Sequence, residues 1–274
     1  MTDGRPKRLA LAAPAGAFLL IFLAWPLAGI VKEALADGGG AFSRVFSDPV
    51  FWRGVRGSAI LGTLAPAVST VIGLGVSLHL ARLSPARRAT LLTIIAVPLS
   101  FSGLVVAYGF ILVFGRAGFV TMLLAEIGAD PAFVGGLIYT PAGLAIAYCY
   151  YLIPRAVLVI LPVVVNFERE QLAAARALGA SPLRAFADIA LPQLMPACLV
   201  AFALCAAVAL GAYGTALALS GTQIAILPMV LYSKISDTGS DLPAAAVMSL
   251  VLIALASAVM AMAELLRPRL RKNA

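Results

Sequence analysis

Asn166-Phe-Glu-Arg-Glu-Gln-Leu-Ala-Ala-Ala-Arg-Ala-Leu-Gly-Ala-Ser-Pro-Leu-Arg-Ala-Phe-Ala-Asp-Ile-Ala-Leu-Pro192 is a polar, helix-prone island between two long apolar runs. Its chemistry predicts two short helices with a break. Residues 168–178 are rich in strong helix formers, and Glu168 and Glu170 sit where acids favour the dipole. Gly179 supplies the left-handed conformation that stops a helix. Ser181 then offers an N-cap oxygen, and Pro182 suits the first helical position. The second helix is expected to run to about Ala190 and to end near Pro192. Leu183, Phe186, Ala187 and Ala190 recur at helical spacing and form one apolar stripe. A helix–turn–helix knob with an apolar edge and a basic rim is suited to a groove on another protein.

The flanking runs set the solvent. Of 274 residues, 62% are hydrophobic and 12% charged, with a mean hydropathy of +1.02. A soluble domain carries about twice that charged fraction. Runs of about 20 apolar residues cross the hydrocarbon as helices, since lipid satisfies no backbone hydrogen bond. Barrel strands would alternate over about ten residues, and these runs are continuous. The fold class is therefore all-α, a polytopic membrane helix bundle forming one transmembrane domain over 1–274. Six spans are read at 9–31, 58–81, 91–114, 135–161, 194–220 and 243–266. Pro141 and Pro154 are expected to interrupt or kink the fourth. Pro66, Gly73, Gly75, Pro98 and Gly103 are ordinary in membrane helices, which approach one another through small residues.

Charge orients the bundle. Arg5, Lys7 and Arg8 precede a run too long for a signal peptide and read as an uncleaved signal anchor. With both termini cytoplasmic, the inside segments also hold Arg82, Arg87, Arg88, Arg155, Arg169, Arg176, Arg184, Arg267, Arg269, Arg271 and Lys272. That is fourteen of the twenty basic residues, leaving Lys32, Arg44, Arg53, Arg56, Arg116 and Lys234 outside. The net charge is +9 inside and −1 outside, which favours N-in, C-in. The basic balance thus reflects topology and anionic lipid; no nucleic-acid motif is present.

Cys149, Cys198 and Cys205 lie in or near apolar runs, without metal-ligand or disulfide spacing. His79, the lone histidine, reads as an interhelical hydrogen-bond partner or interfacial residue near the cytoplasmic end of the second span. The hydrocarbon centres are otherwise expected to lack Asp, Glu, Lys and Arg, which weakens a proton-coupled transporter reading.

The pattern Ala173-Ala174-Ala175, three residues, Gly179, nine residues, Ile189-x-Leu191-Pro192 resembles the EAA loop of binding-protein-dependent transport permeases. These are the inner-membrane components of type I ABC importers, and their loop likewise precedes the fifth of six spans. One residue departs from that pattern: Ala173 stands where the family often has its namesake glutamate, with Glu168 and Glu170 upstream. The resemblance implies that 166–192 is a coupling loop docking on a cytoplasmic ATP-binding subunit. Ala173, Ala174, Gly179, Ser181, Phe186, Ile189, Leu191 and Pro192 would carry that coupling. It also implies a second permease subunit, identical or related, and a periplasmic substrate-binding protein. The chain has no G-x-x-x-x-G-K-[ST] segment and no long polar domain for an ATPase. No cofactor is expected here, ATP being bound by the partner, and the chain reads as a translocation subunit of the bacterial inner membrane with no catalytic or metal site.

Candidate path residues are the polar and aromatic side chains of apolar spans: Ser102, Tyr108, Tyr148, Tyr150, Tyr151, Tyr213 and Thr215. Each tyrosine equally fits an interfacial belt or a packing position. The stretch from Gly211 to Gly221 is rich in small residues and could permit close approach or form a cavity wall. General similarity to the spermidine/putrescine branch implies a polyamine-type cargo, with ferric iron, thiamine and aminoethylphosphonate as alternatives. A secondary transporter or channel, or a membrane scaffold, would explain the spans but not both the loop and transport.

Overall fold

The computed structural model describes residues 14, 16–220, 225–236 and 241–273, with backbone alone at 220 and 267–273. Arg5, Lys7, Arg8, the first five residues of the span expected from 9, and Gly221 lie outside the described residues. Among the described residues there is no strand.

Apart from two 3-10 turns, thirteen helices follow in order among the described residues: α1 Gly16–Ala34, α2 Gly40–Ser47, α3 Pro49–Leu80, α4 Pro85–Ala96, α5 Gly103–Phe114, α6 Phe119–Glu126, α7 Pro131–Gly136, α8 Pro141–Val165, α9 Glu170–Ala177, α10 Pro182–Leu210, α11 Tyr213–Ser220, α12 Leu227–Ser236 and α13 Leu242–Asn273. Six stretches among them are long and apolar enough to cross a bilayer: α1, α3, α5 with α6, α8, α10 and the part of α13 up to Leu266. The all-α, six-span reading stands.

Several boundaries move, each for a local reason. The second span starts at Pro49, nine residues early, where Asp48 accepts from the Val50 N–H at 2.8 Å and Pro49 opens the helix. Pro141 does not interrupt the fourth span but begins it: Thr140 caps Gly143 N at 3.2 Å, and the helix then runs through Pro154 and Pro162. The third span is not continuous over 91–114. After α4 the chain makes a 3-10 turn at Val97–Ser100, and Phe101 and Ser102 are extended before α5. The fifth span starts at Pro182 and breaks after Leu210, with α11 as a separate piece.

The core is the packing of α3, α8 and α10. Lipid gives helices little hydrophobic reason to associate, so close approach of small residues carries the contact. A Cβ at Gly73 would fall 2.7 Å from the Ala156 Cβ, so only glycine allows α3 and α8 to meet there. Ala147, Ala156, Ala201 and Ala206 are likewise buried along the seam. Large apolar side chains such as Phe22, Trp25, Val71 and Leu112 turn outward, as a lipid-facing surface requires. α1 rests against α13 at the edge. His79 is exposed, and among the described residues no side-chain hydrogen bond joins it to another helix, which fits the interfacial reading. The cysteines are free thiols; buried Cys205 donates weakly to the Leu152 carbonyl at 3.5 Å.

At one end of the bundle, Arg44 joins α2 to its neighbours through Asp37 at 2.7 Å and Asp241 at 3.0 Å, while Lys234 meets Asp48 at 3.4 Å. Deeper, the Leu227 N–H donates to buried Ser58 Oγ at 2.8 Å, fastening α12 to α3.

Candidate functional site

Two features stand out, a projecting loop and a partly open cavity, and α10 joins them.

The loop is built around Gly179. Helix α9 spans Glu170–Ala177, shorter than the expected 168–178, and ends in a Schellman turn. Gly179 N donates to the Arg176 carbonyl at 2.9 Å and Ala180 N to the Ala175 carbonyl at 3.0 Å, with Gly179 at φ +91°. Ser181 Oγ then accepts from Arg184 N at 3.3 Å, and Pro182 opens α10. The expected stop near Pro192 is overturned, because helix continues from Pro182 to Leu210. A π turn at Phe186–Ala190 precedes Pro192, re-registering the ladder just where the proline N–H is missing. At 1.5 Å per residue the 29 residues of α10 span about 44 Å, exceeding a hydrocarbon core of about 30 Å. Its first turns and α9 therefore project as one knob.

Leu178 and Leu183, at the tip of that knob, are 90% and 83% exposed. Ala173, Ala174, Gly179 and Ser181 are also exposed, while Phe186, Ile189, Leu191 and Pro192 are half-buried towards the bundle. The expected stripe is therefore split: Leu183 and Ala187 face out, Phe186 turns partly inward and Ala190 is buried. The knob is tied down from both sides. Arg169 Nη2 donates to the Ala81 carbonyl at the end of α3 at 2.6 Å. Gln193 Nε2 donates to Gln171 Oε1 at 2.7 Å, and Gln171 Nε2 donates to Glu168 at 3.1 Å. A groove of about 610 Å³ lies beneath, with Leu78, Phe186 and Leu194 in its walls and Arg82, Arg169 and Arg176 beside them. Ala173 also lines it.

The cavity lies where two spans break. It measures about 380 Å³, and its lining includes Ser102, Tyr151, Arg155, Tyr213 and Thr215, with no carboxylate. Ser102 is the N-cap of α5, its Oγ accepting from Val105 N at 3.4 Å. Tyr213 and Thr215 belong to the first turn of α11. Tyr151 and Thr215 are 7% and 1% exposed. Their hydroxyls are neighbours, yet neither completes a hydrogen bond among the described residues. A Cβ at Gly103 would overlap Thr215 Oγ1, so the glycine lets α5 and α11 close to form the wall.

The remaining path candidates fall elsewhere. Tyr148 is wholly buried, and its hydroxyl donates to the Ala212 carbonyl at 2.9 Å, so it pins the α10–α11 break instead of facing the cavity. Tyr108 is 55% exposed on α5 and does not line the cavity. Tyr150 stacks edge-on against Phe110 at 5.7 Å along an apolar groove.

Sequence reasoning missed Arg155. Counted there with the cytoplasmic segments, it lies inside α8, about 21 Å along the axis from Pro141 and about 15 Å from Val165. The expectation that mid-span residues carry no such charge is overturned. Arg155 is half-buried, its Nη1 reaches the Tyr151 carbonyl at 3.5 Å and its guanidinium lies 6.0 Å from the Tyr151 ring. None of the ion pairs among the described residues includes it. The signal was available: Arg155 stands in an otherwise uncharged run from Ile138 to Val165.

Comparison with known proteins places this geometry. Residues 69–272 match the family described as "Binding-protein-dependent transport system inner membrane component". The chain is 27% identical over 222 residues to a chloroplastic sulfate permease of Chlamydomonas reinhardtii, covering 81% of this chain and 58% of that relative's length. It is 26% identical to a sulfate transport system permease protein of Synechocystis, over 89% of this chain and 87% of the relative. A 2-aminoethylphosphonate transport system permease protein, assigned provisionally in Salmonella choleraesuis, is 24% identical over 84% and 82%. In fold, the chain superposes on a chain of a bacterial alginate ABC transporter with a TM-score of 0.76 at 19% identity, covering 93% and 91% of the two chains.

Proposed function

The chain belongs to the family of binding-protein-dependent transport system inner membrane components, and from that membership we propose how its two features divide the work of import. It is a multi-pass permease subunit of an ABC importer, a translocation component and not an enzyme. In our reading the whole chain acts as one transmembrane domain with both termini and the 166–192 loop in the cytoplasm. The loop docks on an ATP-binding subunit, which binds and hydrolyses the ATP. A second permease, identical or related, completes the path, and a periplasmic binding protein delivers the solute.

The observation that carries the docking assignment is the knob's tip. Leu178 and Leu183 expose most of their surface, while hydrogen bonds from Arg169 and Gln193 order the knob. Apolar anchors on a pre-ordered element are what a partner groove recognises. Ala173 removes an acid from the exposed face of α9, so this coupling rests on apolar contact and on the basic side chains beside the groove.

The cargo expected from general similarity, a polyamine, gains no support from the relatives compared. Their names point to sulfate and 2-aminoethylphosphonate, which share a tetrahedral oxyanion group, and a solute with such a group is the cargo we propose.

Leu178→Asp with Leu183→Asp tests the docking. The doubly substituted chain is expected to insert normally and to lose co-purification of its ATPase subunit. Normal co-purification with ATP-driven uptake intact would overturn the assignment. Uptake by the chain reconstituted without any ATPase would favour a secondary transporter.

A further inference from the structure

The cavity between α5, α8 and α11 has the chemistry of an oxyanion site, and nothing in the family match assigns it. Three independent features converge on it. Arg155 brings a permanent positive charge to the middle of α8, with no carboxylate paired to it. Keeping such a charge half-buried in an apolar helix, with the Tyr151 carbonyl at 3.5 Å and no carboxylate beside it, is costly, and an anion would offset that cost. Next, Tyr151 and Thr215 line the cavity, and their buried, neighbouring hydroxyls complete no hydrogen bond among the described residues. Unsatisfied buried donors cost stability, and side-chain rotation towards a ligand oxygen would relieve that cost. Finally, two broken spans begin there. Gly103 and Leu104 open α5, while Gly214 and Thr215 open α11, and first-turn N–H groups have no intrahelical carbonyl to donate to. Helix N-termini favour negative charge, and discontinuous membrane helices are where such termini face a solute.

We propose that this cavity is a binding station for a tetrahedral oxyanion on its way through the permease, held by the Arg155 guanidinium, the Tyr151 and Thr215 hydroxyls and the first turns of α5 and α11. The proposal rests on the permease reading and gives that path its selectivity. The lining holds no acid and Arg155 as its one charged side chain, so a polyamine cation meets net repulsion. Sulfate and a phosphonate share the required chemistry.

The test is equilibrium binding of radiolabelled sulfate to the full-length chain in lipid nanodiscs, with no ATPase or binding protein present. Failure here therefore does not touch the coupling assignment, and loss of ATPase docking does not touch this result. We expect saturable sulfate binding, displaced by 2-aminoethylphosphonate but not by putrescine or by chloride at matched ionic strength. Arg155→Gln should weaken it on the order of tenfold to a hundredfold, as for loss of charge-assisted hydrogen bonds. Tyr151→Phe and Thr215→Val should each weaken it about two- to tenfold. Should Arg155→Gln fail to fold, the paired Tyr151→Phe and Thr215→Val chain carries the test. No saturable binding of either oxyanion by the folded chain, equal affinity in the variants, or competition by putrescine would each overturn the proposal.

Discussion

Replacing Gly179 isolates backbone conformation from packing. The residue sits at φ +91°, and a Cβ built on it meets nothing within 4 Å. Gly179→Ala therefore adds no clash and removes no side-chain contact; its whole cost is an L-residue held in left-handed backbone, roughly 1–2 kcal/mol. With RT near 0.59 kcal/mol, the Schellman turn should open about five to thirty times more often. Two amides report it directly, since Gly179 N and Ala180 N are bonded to the Arg176 and Ala175 carbonyls at 2.9 and 3.0 Å. Hydrogen exchange on the full chain in nanodiscs should show both exchanging faster by about that factor, while amides of α8 around Ile160 stay protected. Gly179→Asn should show a smaller change, because asparagine tolerates the left-handed region. In the assembled importer, Gly179→Ala should lower uptake per ATP hydrolysed, and adding Phe186→Ala should lower it further. Wild-type exchange at both amides in the alanine chain would refute the reasoning, since no other interaction at this position could mask the cost.

Two further outcomes follow from the packing and the charge clasp. Gly73→Ala should destabilise the bundle by about 1–3 kcal/mol through overlap with Ala156, whereas Gly75→Ala, with open space around it, should be neutral or stabilising; thermal unfolding of the pair in one detergent reads the difference. Arg44 holds the Asp241 carboxyl below the usual carboxylate range, and Asp37 is held down chiefly by the Ala41 N–H, with Arg44 adding to it. Depressed folded values mean the clasp is complete above about pH 4 and is lost as pH falls through them, so acid unfolding of the α2 end should shift upward in pH in Arg44→Gln, as followed by fluorescence of nearby Trp52.

Hydropathy made the six spans legible, because lipid tolerates little but a continuous apolar helix. Gly179, Ser181 and Pro182 made the loop legible, because each has one dominant local role. The breaks were less visible. Ser102 and the pair Gly211–Ala212 interrupt apolar runs without introducing a charge, so packing decides that α5 and α11 begin where they do. Pro192 misled in the other direction: read as a stop, it is carried by a π turn that no local pattern announces. Tyr148 and Tyr151 are three residues apart on one helix, yet one pins a carbonyl and the other lines the cavity, a difference set by what α11 presents to them. Arg155 is hidden from a count of loop charges because its depth along α8 is set by where the helix begins, at Pro141.

The unbroken course of α10 ties the two ends of the molecule into one mechanical coordinate. A hydrogen-bonded helix hardly shortens under load, so displacement of the knob along the axis reaches Leu210 almost undiminished. There it meets Gly211 and Ala212, the latter held by Tyr148, and beyond them the first turn of α11 with Thr215 in the cavity wall. The π turn and Pro196 allow sideways bending but not compression. Such a strut needs no chain of communicating side chains to connect the knob with the cavity wall.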